Sequence, residues 1–348
     1  MERSSSARVG LVGAGIISGV HVPYIRKAGA DVVAIADADL GAANDLADRF
    51  DVQRTYADAG SMLAAEELDV VHVLTPPHTH AEVAVSALEA GVHVVVEKPA
   101  AVSVEEVNRM VSAADKAGRM LCVDHNRLFD PVMLEARRLV ADGVLGDLVG
   151  VESYQAGHAS ERAWLSQLTG GGLGDLLPHP LYLQLAFLGP VDELQAWAFD
   201  RRDEKGPREL RVLMKSGDVS GMLTISMNAH PQSNTLRLYG TRMTVDVNLN
   251  NMTIIRRVVR NVPKLIGKSL PNLEEAWQLF SQTGRSTVEF LTGKTRFYPG
   301  MGNLLSRFYS AVDEGGESPV SVDEARAVVD VTQQIWAAIA EDGDGADR

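Results

Sequence analysis

Apolar and polar positions divide the chain into two parts with different rhythms. Over about the first 125 residues, short apolar runs alternate with helix-spaced segments. The runs are ARVGLVG, ADVVAIAD, DVVHVLT and VHVVVEK; between them lie stretches such as AGSMLAAEEL and HAEVAVSALEAG. Runs apolar over most of their length read as strands buried on both faces, and alternation with helices predicts parallel βαβ units. Ser103 with Glu106 three residues on is a capping box that opens a further helix, SVEEVNRMVSAADKAG, before the strand RMLCVDHN. A doubly wound domain over residues 1–125 follows.

After GVLGDLVGVESYQAG the period becomes two. DELQAWAFD, ELRVLMKSGDVSGMLTISMNA and NTLRLYGTRMTVDVNLN follow one another without helices between them, which predicts an antiparallel sheet with one wet face. SVDEARAVVDVTQQIWAAIAE is an amphipathic helix over residues 321–341. Residues 126–348 are thus expected to form a second, α+β domain, its last helix packing back on the first.

Composition narrows the function classes. A chain of 348 residues exceeds the size at which one core stops growing. A net charge of −13 argues against nucleic-acid binding, which needs cationic surface. No apolar stretch is long enough to span a bilayer, and MERSSSARVG runs into a strand without the apolar core of a secretion signal. Cys122 is the only cysteine, so no intrachain disulfide or cysteine metal cluster forms, and a reducing cytoplasm is the expected location. One stretch departs from the acidic trend: residues 252–296 carry eight lysines and arginines against three glutamates, mixed with Ile, Leu, Trp and Phe. Three readings stay open for it: a packed helical excursion with a solvated cationic rim, a subunit contact, or a surface for anionic lipid.

VGAGIIS supplies Gly13 and Gly15, followed by Ile16 and Ile17, with Ser18 where a third glycine would stand. Such a turn lets the backbone approach a pyrophosphate at a helix N-terminus. Asp37 ends the next strand some 20 residues on, where an acid accepts hydrogen bonds from a ribose and repels a 2′-phosphate. The pattern predicts a Rossmann domain that prefers NAD to NADP; Asp39 reads as a helix start. Thr75 and Pro76 in LTPPHTH fall where loops line a cofactor cleft. His78 and His80 lie two apart, but no third metal ligand is recognisable, and no metal is expected.

GAGIIS with His21, then TPPHTH, EKP and GGGLGDLLPH, resembles the glucose–fructose oxidoreductase and inositol dehydrogenase family (Gfo/Idh/MocA) over nearly the whole chain. The resemblance implies cofactor contacts from the glycine turn, Asp37, Thr75, Pro76, His78, His80, Glu97 and Lys98. It implies catalysis by Lys98, Asp175 and His179, with Lys98 beside the nicotinamide and often a cis Lys98–Pro99 bond. An ammonium at the carboxyl edge of a parallel sheet suits a reacting alkoxide oxygen; a lysine paired with Glu97 or a helix end is the other reading. Asp175 and His179, four apart, share a helix face and fit a general base with its orienting acid, though such pairs also cap helices. The family has glycine and an acid where this chain has Leu177 and Tyr182, which opens the polyol specificity and offers Tyr182 as a different substrate contact. Asn126 and Arg127 are further substrate candidates, with His158 and Trp164 in a covering loop. The expected activity is NAD-dependent oxidation of a secondary alcohol in a sugar, cyclitol or sugar derivative, by a homodimer or homotetramer. NAD-recycling glycoside elimination and a non-catalytic sugar sensor are the alternatives.

Overall fold

The computed structural model describes residues 6–158, 162–200, 206–292 and 297–345. The chain divides into two units, residues 1–126 with 301–330, and residues 127–300 with 331–348.

In the first unit, β1 (Arg8–Val12), β2 (Asp31–Ala36), β3 (Arg54–Tyr56), β4 (Val70–Val73), β5 (His93–Val96) and β6 (Leu121–Val123) form a parallel sheet. Helices α1 (Ile16–Lys27), α2 (Leu40–Phe50), α3 (Ala59–Ala65), α4 (His80–Glu89) and α5 (Val104–Ala117) connect its strands. The order β3-β2-β1-β4-β5-β6 reverses direction between β1 and β4, the switch point at which such sheets open a crevice at their carboxyl ends. Val9, Leu11, Val71, Val94 and Val95 are completely buried, as continuous apolar runs require. This unit also takes in residues 301–330, of which 321–330 begin the helix expected to pack back on the first domain and 301–320 were expected with the second. They bring in the buried Phe308 and Tyr309.

The second unit contains α6 (Pro131–Ala141), β7 (Leu148–Ala156), α7 (Gly172–Leu176) and α8 (Pro178–Leu188). After them come β8 (Glu193–Phe199), β9 (Glu209–Ser216), β10 (Val219–Ser226), β11 (Ser233–Gly240), β12 (Met243–Asn248) and β13 (Thr253–Val258). The seven-stranded sheet has the order β13-β12-β11-β7-β10-β9-β8, antiparallel except where β10 meets β7. Buried Gln184 of α8 accepts from Ser153 Oγ (2.7 Å) and donates to the Val151 carbonyl (3.2 Å), tying the helix to β7.

The cationic stretch is not a single insertion. Its first part is the edge strand β13, and its second is the 28-residue helix α9 (Lys264–Leu291). Residues 293–296, the end of that stretch, lie outside the described residues. The last helices are α10 (Pro299–Glu314) and α11 (Val322–Gly345). No described helix is long and apolar enough to cross a membrane.

Candidate active-site residues in the two units

Gly13 follows β1 with φ +105°, and a Cβ there would lie 2.6 Å from the Leu74 carbonyl oxygen, so only glycine fits. Gly15 differs. It precedes α1 in extended conformation, and a Cβ on it would meet nothing within 4 Å. The protein's own packing does not demand this glycine. The open space beside it, at the N-terminus of a 12-residue helix, suits the close approach of a dinucleotide phosphate. Buried Ser18 donates to the Gly13 carbonyl (2.7 Å) and closes the turn in place of a third glycine. Ile16 is exposed and Ile17 half-buried on the first turn of α1.

Asp37 ends β2, and both its oxygens are engaged: Oδ2 accepts from the Ala14 amide (2.6 Å) and Oδ1 from the Asp39 amide (2.8 Å). The acid expected to face a ribose therefore also braces the glycine turn, with acceptor capacity remaining on each oxygen. Asp39 caps α2 through the Gly41 and Ala42 amides.

The loops after β4 and β5 are strapped together by His80. Its Nε2 lies 2.7 Å from the Thr75 carbonyl and its Nδ1 2.8 Å from the Pro99 carbonyl. Burial pushes its pKa down, so the ring is neutral and donates to one carbonyl at a time. His80, expected at the cofactor, is wholly buried and ties the two loops together. Thr75 and Pro76 are half-buried, Thr75 Oγ1 accepts from Thr79, and His78 is exposed.

Glu97 and Lys98 follow β5. The Lys98–Pro99 bond is cis, and Lys98 is half-buried. Glu97 turns inward: Oε2 accepts from the Lys98 amide (3.0 Å), while Oε1 is 3.3 Å from His21 Nε2. Asp124 Oδ2 lies 3.2 Å from the same nitrogen. Burial opposes a charge on His21, but the hydrogen bonds to Asp124 and then Glu97 outweigh it and lift its pKa to about 9. Burial, followed by the Glu97 charge, raises Asp124 to about 6, whereas His21 overcomes the burial of Glu97 and lowers it. His72, 3.0 Å away from Nδ1 to Nδ1, is held well below its ordinary pKa by burial and the His21 charge. These states fix the protons. With both on His21, its Nε2 donates to Glu97 Oε1 beside the Asp124 counter-charge, and its Nδ1 donates to His72, which donates through Nε2 to Tyr309 Oη (2.8 Å).

By distance His21, Glu97 and Asp124 would suit a metal, since one ligand atom from each lies within 4.8 Å of the others. A metal there would have to displace the His21 proton, because only the neutral ring is a ligand. The sequence reading placed Glu97 at the cofactor and missed His72, Asp124 and Tyr309. The signal was a polar residue inside an apolar strand, in VVHV and LCVD, which must find a partner.

In the second unit, Gly170 has φ +79°, and a Cβ on it would fall 2.1 Å from the Trp336 ring, so the indole seals the glycine run. From there the backbone stays helical through Leu177, the residue between α7 and α8. Pro178 and Pro180 both fall in the first turn of α8, where missing amides are tolerated. Asp175 and His179, both half-buried, therefore stand four apart on one helical path. His179 Nδ1 lies 3.1 Å from Tyr182 Oη. Tyr182, expected at the substrate, is 2% exposed, and its hydroxyl addresses the imidazole. Asn126 and Arg127 are half-buried on one 3-10 turn. Arg127 moderates Asp130, whose pKa burial nonetheless raises to about 6. His158 tilts against His230, and Trp164 stands under the Arg162 guanidinium.

Comparison with known proteins agrees with this architecture. Residues 7–125 match the oxidoreductase family with an NAD-binding Rossmann fold (GFO_IDH_MocA), and residues 133–246 match the GFO/IDH/MocA C-terminal domain. D-glucoside 3-dehydrogenase of Escherichia coli is 32% identical over 57% of this chain and 59% of its own length, so the chain spans under two thirds of that relative. An uncharacterised oxidoreductase of Rhizobium meliloti is 32% identical over 69% of this chain and 74% of its own. Among solved structures, an NAD-binding oxidoreductase from Klebsiella pneumoniae superposes with a TM-score of 0.81 at 20% identity, covering 97% of this chain and 98% of that one. The chain belongs to the Gfo/Idh/MocA oxidoreductase family.

Proposed function

We propose that this protein is an NAD-dependent dehydrogenase that oxidises a secondary alcohol of a sugar, cyclitol or sugar derivative. The observation that carries the reading is Lys98 at the carboxyl end of β5, in a parallel sheet whose switch point lies between β1 and β4, with the glycine turn at the end of β1. Gly13, Gly15, Ile16 and Ile17 receive the pyrophosphate, Asp37 the adenosine ribose, and Thr75 and Pro76 line the cleft. The Asp37 carboxylate would repel a 2′-phosphate, which favours NAD over NADP. Bound NAD supplies the hydride acceptor.

Lys98 binds the substrate hydroxyl and stabilises negative charge on its oxygen as the carbon–hydrogen bond breaks. His179 takes the hydroxyl proton, oriented by Tyr182 and assisted by Asp175. The products are a ketone, reduced cofactor and a proton. The names of relatives such as D-glucoside 3-dehydrogenase support a sugar-like substrate.

Lys98→Met tests the reading. With NAD and a panel of glycosides, free sugars and inositols, the variant should lose at least a thousandfold in kcat/KM, roughly 4 kcal/mol of transition-state stabilisation, while binding NAD as the wild type does. Turnover within tenfold of wild type would remove Lys98 from the chemistry.

A further inference from the structure

Helix α9 is turned inside out. The face that packs on the edge strand β13 is polar. Gln282 accepts from the Ile254 amide and donates to its carbonyl, both at 2.7 Å, and Gln278 does the same for Arg256 at 2.9 and 3.1 Å. Two glutamines one turn apart thus satisfy the open backbone groups of alternate strand residues, which is how an edge strand is kept from pairing with another strand. Arg257 bridges to Glu275 and Arg260 to Glu274 along the same seam.

The opposite face carries Ile266, Leu273, Trp277, Phe280, Val288 and Leu291, each between 50 and 78% exposed. With half-buried Leu270 and exposed Gly284 included, the intervals run 4, 3, 4, 3, 4, 4, 3. That is the spacing of a coiled-coil seam with one stutter, not of a helix packed on a sheet. None of the described residues covers it, and an apolar stripe along a helix of about 42 Å exceeds what a monomer ordinarily exposes.

Charge decides what covers it. A helix lying on anionic lipid flanks its apolar face with cations. Here the flanking positions are mostly small and uncharged, Gly267, Ser269, Ala276, Ser281, Thr283 and Thr287, with one acid, Glu274, and one cation, Arg285, among them. The arginines on and beyond β13 are tied to acids, Arg256 to Glu135, Arg257 to Asp246 as well as Glu275, and Arg285 to Glu289. A second identical helix meets no like charge on these flanks, and small residues allow close approach.

The stripe is also nearly symmetric about a point between Gln278 and Leu279. An antiparallel pair related by a two-fold there sets Ile266 opposite Leu291 and Trp277 opposite Phe280, with Leu273, Leu270 and Val288 opposite the smaller Gly284, Thr287 and Ser269. Large faces small where the stutter falls, and the stacked Trp277–Phe280 pair meets its own mate. We propose that α9 pairs antiparallel with α9 of a second copy of this chain, in an isologous contact centred on Trp277 and Phe280.

Sedimentation velocity of the full chain at micromolar concentration tests this, with the double variant Trp277→Glu/Phe280→Glu. The variant should have half the wild-type mass with unchanged far-UV circular dichroism. Mild oxidation should join Leu273→Cys/Gly284→Cys into a covalent dimer, and neither single variant; the native Cys122 is buried and silent. Unchanged mass in the glutamate variant would overturn the proposal, as would cross-linking of the single variants, which would mean parallel helices. So would wild-type co-sedimentation with phosphatidylglycerol vesicles that the variant loses at constant mass, since lipid would then be the occupant.

Discussion

The doubly protonated His21 should make the first unit lose stability on the alkaline side of neutrality. Its pKa rises from the ordinary 6.5 to about 9 in the fold. A group with a raised folded pKa contributes stability that is complete below the unfolded value and is lost as pH climbs through the folded one. At 1.36 kcal/mol per unit, the loss between pH 6.5 and 9 is roughly 3 kcal/mol. Other shifted groups of the unit act elsewhere. His72 and His80 are lowered, and His125 is lowered by burial to about 3, so these three stabilise as pH rises toward 6.5 and no further. The raised Asp124 acts below about 6, and the Cys122 thiol, pushed by burial to about 12, acts only above its ordinary 9. The window from 6.5 to 9 belongs to His21. Cys122 is the chain's only cysteine and is completely buried, so its modification by a brief methanethiosulfonate pulse across a urea series reports opening of this unit alone. With a slope of about 2 kcal/mol per molar urea, the midpoint should fall by about 1.5 M between the two pH values. His21→Gln should be destabilised at pH 6.5, because two buried carboxylates lose their cation, and should show no alkaline fall. An equal fall in His21→Gln, or a flat wild type, would refute the assignment; carbon shifts of the His21 ring titrating near 9 would support it directly.

Gly13→Ala and Gly15→Ala should separate folding from binding. The first forces a Cβ against the Leu74 carbonyl and should lower both thermal stability and NAD affinity; the second fills open space and should lower only the NAD affinity, measured by titration calorimetry. Tyr182→Phe removes the hydroxyl at His179 Nδ1, and a hydrogen bond of about 1 kcal/mol predicts about a fivefold loss in kcat/KM with unchanged NAD affinity. Gln282→Leu leaves both backbone groups of Ile254 unsatisfied at the sheet edge, at about 1–3 kcal/mol each; hydrogen exchange of that amide should quicken at least tenfold.

Local periodicity carried most of the fold. Unbroken apolar runs demand burial on both faces, and strict alternation demands one wet face, so the two sheets were legible as two kinds of sheet. The edge strand β13 was not, because TIIRRV loses its alternation where Arg256 and Arg257 reach acids on separate elements. The place of residues 301–320 was not legible either: an amphipathic helix states which of its faces is buried but not which unit buries it. For α9 the mixture of cations and apolar residues was visible, and it left inward packing, a subunit contact and a lipid surface all open. The inversion depends on Gln278 and Gln282 bonding to strand backbone, and sequence does not distinguish a solvated glutamine from one clamped on a sheet edge.

At the candidate site, the legible part was what strand geometry alone determines, and the remainder follows from it. Successive residues at a strand end point to opposite sides, so of the pair Glu97 and Lys98 one must turn inward. Turning lysine inward would bury its ammonium beside Asp124 and take it away from the carboxyl edge of the sheet. Turning glutamate inward buries an anion instead, and the fold meets that charge with His21, 76 residues earlier on the helix that follows the glycine turn. Glu97 Oε2 then holds the Lys98 amide and fixes where the outward lysine begins. Asp124 completes the balance: a second carboxyl near pKa 6 beside a charged imidazole leaves a cluster that stays close to neutral only while His21 keeps both protons. The histidine after the glycine turn and the glutamate before the lysine are therefore one electrostatic unit. Glu97→Gln should take away one of the two carboxyl groups that hold His21 charged, lowering the His21 pKa and shrinking the alkaline loss of stability.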